Sequence, residues 1–304
     1  MIILRFDGGL GNQMYHYVMY KLLKKTFPEH QVVIDITSYN RQLTHNGYEL
    51  EYVFPQINIQ KAKVKDLLCC SYYFPVSKNS LLFVGCDKIY SKLKQSGLIK
   101  PPKHYIRESN WNVFKEKANL SRSETYYLDC RWDYQENYYF EWKDELLRDF
   151  DFGQPISEEE IQDILYKHET VGIHVRAGDY LNSDFDILTQ QYYRDAIDKM
   201  QQYVQNPYFV IVSDDYNYAK EILGFMNDDK LYFIPSHQGR DSFQDMQILS
   251  KCKHNIIANS TFSYWAAELN SNEEKIVIAP KRYSKKQENF IVPSDWIQLD
   301  IQHR

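Results

Sequence analysis

Cysteine is scarce in this 304-residue sequence: Cys69, Cys70, Cys86, Cys130 and Cys252 are all there is, and no two form a C-x-x-C pair. The number is odd and no histidine stands at zinc-ligand spacing, so neither a disulfide framework nor a zinc site is expected. Free thiols in a reducing compartment are the simplest account. No run of about 18 apolar residues occurs, which removes the membrane-spanning helix. The opening Met1-Ile2-Ile3-Leu4-Arg5-Phe6-Asp7 meets a charge and then glycines, so neither a signal peptide nor an anchor is expected there. Lysine and arginine form no contiguous block, and the net charge is -5. A general nucleic-acid binder is therefore a poor fit, whereas a local basic pocket for a small anion is compatible. Internal repeats and low-complexity tracts are also missing.

What remains is ordinary globular material. Hydrophobic residues make up 43 % and charged residues 25 %, and a chain of this length is expected to split into two domains. Tyrosine stands out, with 26 copies, some clustered as Tyr126-Tyr127 and Tyr138-Tyr139-Phe140. Aromatic faces stack on sugar C–H surfaces and phenols bond to hydroxyls. Half-buried strand positions are the plainer account of any one tyrosine.

Ile2 to Phe6 reads as a buried strand, followed by glycines and a helix from near Asn12. In that helix Met14, Val18 and Leu22, with Tyr15, Met19 and Leu23, repeat at the helical period, and Pro28 closes it. Gln31 to Ile36 is a second strand. Residues from about 40 to 125 give no clear pattern. Gly153 and Pro155 interrupt the chain, so a domain boundary is expected near residue 155, giving domains 1–155 and 156–304. Ser157-Glu158-Glu159-Glu160 signals a helix start. Beyond it strands and helices alternate: Val171 to Val175, a helix through Tyr193, Ala196, Ile197, Met200 and Val204, then strands at Tyr208 to Val212 and Leu231 to Ile234. A helix through Phe243, Met246, Leu249 and Cys252 follows, then a strand at Asn255 to Ala258, a helix at Phe262 to Leu269, and a strand at Ile276 to Ala279. Such alternation predicts an α/β fold with a parallel sheet covered on both faces, with ligands at the carboxyl ends of the strands.

Three stretches carry candidate chemistry. Gly8-Gly9-Leu10-Gly11-Asn12-Gln13 follows a strand and opens a helix, where glycines admit a ligand to the backbone and the helix start offers N–H groups. A dinucleotide site, with Asp35 on the ribose, is weakened by Met14 where the third glycine belongs. A plain tight turn is the other alternative. His174-Val175-Arg176-Ala177-Gly178-Asp179-Tyr180 ends a strand. Arg176 suits anionic oxygens, Asp179 can orient it, and His174 can bond a base or a phosphate; a structural ion pair accounts for the same residues. Asn259-Ser260-Thr261, between a strand and a helix, reads as a helix cap or as a phosphate cradle. Ser213-Asp214-Asp215 ends an intervening strand at the same sheet edge.

Taken in order, the glycine-Asn-Gln start, His-x-Arg-x-Gly-Asp-Tyr, Ser-Asp-Asp and Ile257-Ala258-Asn259-Ser260-Thr261-Phe262-Ser263-Tyr264-Trp265 resemble the α-1,2-fucosyltransferase family, a glycosyltransferase family 11-like pattern. Tyr134-Gln135 to Phe140 and Ile278-Ala279-Pro280 also resemble family segments. The resemblance implies a GT-B-like fold of two Rossmann-like domains facing a cleft, with residues 1–155 on the acceptor side and 156–304 binding GDP-fucose. It further implies inversion at the anomeric carbon, transfer to the 2-hydroxyl of a terminal β-galactoside, and neither metal nor other cofactor. Arg176 matches an arginine that neutralises the donor diphosphate. His174 and Asp245 match positions on the guanine side, Ser260 and Thr261 the phosphate turn, and Asn12 the asparagine near donor phosphate and fucose. Gly11, Asp214 and Asn259 complete the expected donor site. Ala177 departs from the family's second arginine, so one diphosphate contact is missing or comes from elsewhere.

The reaction needs cationic and N–H donors at the leaving group and a base for the acceptor hydroxyl. Arg176, Ser260, Thr261 and the amides after Gly11 suit the first task. Asp184 is the candidate base, with Asp179 the alternative. Asp184-Phe185-Asp186 and Asp149-Phe150-Asp151 have the D-x-D form of metal-using transferases, a form common by chance in acidic chains. A bacterial cytoplasmic enzyme is expected, acting on an oligosaccharide or glycolipid-linked acceptor in surface-glycan synthesis, at most peripheral at the inner face of the membrane. The rivals are a transferase of another GDP-sugar, a non-catalytic glycan-binding protein, and the redox enzyme.

Overall fold

In the computed structural model of the chain, residues 1–40, 46–73, 81–107, 111–130, 142–226 and 228–301 are described. The chain divides into two units, Met1–Gln135 and Glu136–Arg304. The family-like segment from Tyr134 to Phe140 lies outside the described residues.

In the first unit, β1 (Ile2–Arg5), β2 (Val32–Asp35), β3 (Tyr105–Ile106) and β4 (Tyr126–Leu128) form one parallel sheet in the order β2-β1-β4-β3. The residues of β2 and β4 are buried throughout, as both-face burial in a parallel sheet demands. The Leu10–Thr26 helix returns the chain from β1 to β2 and is buried on almost every side, from Leu10 and Met14 to Leu23. Lys24 and Lys25 occupy its last turn, where positive charge suits the helix dipole. The stretch from 40 to 125, unreadable as a pattern, holds β3 and the helices Leu50–Val53, Val64–Cys70, Leu81–Gln95 and Trp111–Lys117.

In the second unit, β5 (Thr170–Val175), β6 (Tyr208–Ser213), β7 (Leu231–Phe233), β8 (His254–Ile256), β9 (Val277–Pro280) and β10 (Ile297–Leu299) pair in parallel in the order β10-β9-β8-β5-β6-β7. Strands and helices alternate as expected, with helices at Glu159–Lys167, Gln190–Met200, Phe243–Lys251 and Thr261–Glu268, and the Tyr216–Ile222 helix and β10 are added to what the sequence pattern predicted. One core layer joins Val171, Ile173 and Val175 of β5 to Tyr193, Ala196, Ile197 and Met200 of the Gln190–Met200 helix. Two parallel α/β units are what a GT-B-like pair of Rossmann-like domains requires.

The sequence reading set the division near 155, yet residues 142–154 are tied to the second unit. The buried Glu268 carboxylate takes Lys143 Nζ at 2.7 Å, Phe150 packs edge-on against Trp265 at 5.2 Å, and Gln247 Nε2 donates to the Gln154 carbonyl at 2.6 Å.

Strand order locates the functional edge. From β5 the chain runs outward through β6 and β7, and then resumes on the other side of β5 with β8, β9 and β10. The reversal lies between β5 and β8, and a crevice opens outside the carboxyl ends of strands at such a point. In the first unit the same reversal separates β1 from β4.

Candidate functional site

Arg176 follows β5 directly, at the switch point. Its Nη1 lies 2.9 Å from Asp214 Oδ2 and its Nη2 lies 2.5 Å from Asp179 Oδ1. The guanidinium carbon stands 5.1 Å over the Tyr180 ring. Two carboxylates and an aromatic face therefore fix the plane of one fork of donors. Its Nε is buried without a hydrogen-bond partner.

Asp214, the residue after β6, also accepts the Ala177 N–H at 2.8 Å. The resulting cross-link joins the ends of β5 and β6. Gly178 belongs to it: its φ is +26°, and a Cβ there would stand 2.5 Å from Asp214 Oδ2. Asp215 does a separate job, accepting the Tyr218 N–H at 3.0 Å as the cap of the Tyr216–Ile222 helix.

The turn after β8 meets this edge through Tyr180, whose hydroxyl donates to the Asn259 carbonyl at 3.4 Å. Asn259 is buried and spends its amide on two loops, donating to Phe185 O at 3.0 Å and Tyr283 O at 2.7 Å. Ser260 caps the Thr261–Glu268 helix, its Oγ accepting the Phe262 N–H at 3.3 Å. Thr261 is the first helical residue and is half-buried. The Ser260 Oγ therefore serves as a helix cap, one of the two readings of this turn.

His174 is buried on β5, with its ring 5.5 Å from Phe262 and its carbonyl receiving the Tyr193 hydroxyl at 3.2 Å. Burial first, and the Arg176 charge second, push its pKa down to about 3. The ring is therefore neutral and serves as a hydrogen-bonding group, with Nδ1 buried and unpartnered.

Asp184 sits on the loop after Tyr180, where its Oδ2 accepts Lys286 Nζ at 2.5 Å and its carbonyl accepts the Lys285 N–H at 2.7 Å. Asp186 Oδ2 accepts the Asn182 N–H at 3.2 Å. The two carboxylates of this D-x-D tripeptide thus have different partners. Among the described residues no cluster of three or more metal-ligating side chains occurs.

Asp245 stands in the first turn of the Phe243–Lys251 helix, gripped by a residue the sequence reading missed. His237 faces Asp245 Oδ1 across 2.6 Å through Nδ1, and Glu158 Oε1 across 2.7 Å through Nε2. The hydrogen bond to Asp245, and then that to Glu158, outweigh burial and raise the His237 pKa to about 9. Its folded value exceeds the ordinary 6.5, so its stabilising contribution is complete below about pH 6.5 and fades as pH rises through about 9. His237→Gln is expected to melt below the wild type at pH 6, with the two melting curves converging above pH 9. A gap unchanged across that window would show that the imidazolium has no part in it. The spacing of His237 from Asp245 and Glu158 follows no motif.

Gly11 and Asn12 belong to the first unit, in the first turn of the Leu10–Thr26 helix. Gly8 has φ +78°, and a Cβ there would stand 2.3 Å from Asn12 Nδ2, so glycine is what lets the Asn12 side chain fold back under the turn. Gln13 is fully buried and holds the neighbouring loop. Its Nε2 donates to Gly8 O at 3.2 Å and Gly47 O at 2.8 Å, while its Oε1 accepts the N–H groups of Glu49 at 2.9 Å and Leu50 at 3.1 Å. Glu49 is a second group the sequence did not flag, its carboxyl pushed up to about 7 by burial.

Comparison with known proteins gives the family. Residues 103–300 match the family model described as Glycosyl transferase family 11. The chain is 26 % identical to an O-antigen biosynthesis glycosyltransferase of Escherichia coli, covering 96 % of this chain and 98 % of that protein. It is 25 % identical to an alpha-1,2-colitosyltransferase of Escherichia coli, covering 99 % of each. It is also 26 % identical to Galactoside alpha-(1,2)-fucosyltransferase 2 of Sus scrofa, over 47 % of this chain and 44 % of that protein.

Proposed function

The chain belongs to glycosyl transferase family 11, and from that premise we propose that it transfers fucose from GDP-fucose to the 2-hydroxyl of a terminal β-galactoside, with inversion and without a metal. The observation that carries this reading is Arg176, set between Asp179 and Asp214 beside the Ser260-capped helix start. A fixed guanidinium is the kind of donor that a departing nucleoside diphosphate requires. Within the second unit, Asp245 and the neutral His174 are assigned to the guanine.

In the proposed step the acceptor oxygen forms a bond to the anomeric carbon as the carbon–oxygen bond to GDP breaks. The acceptor proton passes to a carboxylate, for which Asp184 is proposed and Asp179 is second. The negative charge leaves on the β-phosphate, against Arg176. A carboxylate so placed contributes about 10²–10⁴-fold. Both carboxylates carry an ion pair, Asp179 with Arg176 and Asp184 with Lys286. The proposed setting is bacterial surface-glycan synthesis, with cytoplasmic GDP-fucose and an oligosaccharide or lipid-linked acceptor.

A second reading rests on Ala177. It is fully buried with its N–H held by Asp214, so no side chain reaches the diphosphate from this position, and one of the relatives aligned over nearly the whole chain is a colitosyltransferase. The donor would then be a colitosyl nucleotide. Incubation with each donor and a panel of galactosides in EDTA separates the two. Release of GDP with an α-1,2-fucosylated product is the expected result. Turnover with the colitosyl donor alone supports the second reading, and turnover with neither overturns both.

A further inference from the structure

Five aliphatic side chains stand out in solvent among the described residues: Val64 (58 % exposed), Leu68 (62 %), Ile89 (61 %), Leu93 (37 %) and Leu98 (75 %). The other large exposed hydrophobics are all tyrosines. Scattered surface leucines need no explanation, but a confined group of them does. All five fall within 35 residues of one unit, on the Val64–Cys70 helix, the Leu81–Gln95 helix and the turn that follows.

The same stretch carries the opposite charge to the rest of the protein. Residues 61–103 hold nine lysines, two aspartates and no other charged residue, a net +7 in a chain of -5, which leaves -12 for the remainder. Among the described residues Lys65, Lys88, Lys92 and Lys100 are exposed and enter no ion pair. On the longer helix Ile89 and Leu93 lie four residues apart on one stripe, with Lys88 and Lys92 on the adjoining stripe. On the shorter one Val64 and Leu68 repeat the four-residue spacing beside Lys65, while Leu67 and Cys70 supply the core. The carboxyl ends of the two helices are joined. The Tyr72 hydroxyl donates to Ile99 O at 3.1 Å, and Lys94 Nζ lies 3.9 Å from the Tyr72 ring centre.

We propose that the surface carried by the Val64–Cys70 and Leu81–Gln95 helices and the turn that follows docks on an anionic lipid bilayer, with Leu68, Ile89 and Leu98 entering the headgroup layer and Lys65, Lys88 and Lys92 facing lipid phosphates. Exposed aliphatics flanked by long lysine stems that carry their charge upward are what an interface of apolar and anionic layers selects. A solvated charged face would have no use for the leucines. A second copy on the same face would set +7 against +7. The inference stands on surface composition and does not depend on the identity of the sugar donor.

The full chain is tested by co-sedimentation with vesicles of phosphatidylcholine alone and of phosphatidylcholine with phosphatidylglycerol in a 7:3 ratio. Partition onto the anionic vesicles only, weakened between about 0.1 M and 1 M salt, is expected. Lys88→Gln/Lys92→Gln should lower it about 30-fold, and Ile89→Asp/Leu98→Asp at least about tenfold, with unchanged melting curves and unchanged turnover on a soluble acceptor. Absent turnover in the wild type would count against the proposed reaction and leave the vesicle result readable. Equal partition onto both vesicle types, no partition, or partition retained in both double variants overturns the proposal. A dimer that Ile89→Asp/Leu98→Asp abolishes, without vesicle binding, gives the surface to a second copy and overturns it as well.

Discussion

Arg176→Ala is expected to lower kcat about 10²–10³-fold with the fold retained, the cost of removing one preorganised donor from a developing anion. The side chain is only partly buried, and its partners are two carboxylates at the end of the sheet rather than the core. The loss is compounded by what stays behind. Without the guanidinium, Asp179 and Asp214 face the incoming diphosphate with uncompensated negative charge. Asp214 itself cannot swing away freely, because it holds the Ala177 N–H. Arg176→Lys should rescue little, since a single ammonium cannot reproduce two N–H contacts in one plane. Steady-state kinetics, GDP affinity by calorimetry and a thermal melt decide the matter. Normal turnover with a normal melt would remove Arg176 from the site.

Gln13→Leu is expected to destabilise the first unit by about 3–5 kcal/mol, since each buried polar group left unpaired costs about 1–3 kcal/mol. One amide satisfies two carbonyls and two N–H groups across gaps of 5 to 37 residues. Leucine fills the space and serves none of them. Gln13→Glu keeps the acceptor for the Glu49 and Leu50 N–H groups but removes both donors and buries a second carboxyl beside Glu49, so it should recover only part of the loss. Urea titration followed by tyrosine and tryptophan fluorescence measures both. A change below about 1 kcal/mol in Gln13→Leu would mean that water replaces the amide without cost.

The glycine turn, the arginine at the strand end and the helix cap were all visible before any coordinates, because each is a local pattern: a strand, a break and a cap within a dozen residues. Asp214 was visible as a strand-end carboxylate, but its task was not. Its two contacts, the Ala177 N–H and the Arg176 guanidinium, lie 37 and 38 residues back along the chain. Asn259 looked like a ligand or a cap, and its amide in fact holds two loops. The basic apolar surface escaped notice because its lysines are dispersed rather than contiguous, and only exposure distinguishes Leu68 from the neighbouring buried Leu67.

By itself, the sequence determined the strand–helix alternation of the second unit and the chemical kind of each strand-end residue. Apolar period and turn chemistry act over a few residues and need no partner. Tertiary structure alone decided that β8 returns beside β5, that Asp214 locks Arg176, and that His237 bridges Glu158 and Asp245. Those outcomes follow from which buried surfaces and charges can be satisfied together across 79 or more residues in the cases of β8 and Glu158, and no local pattern records that choice.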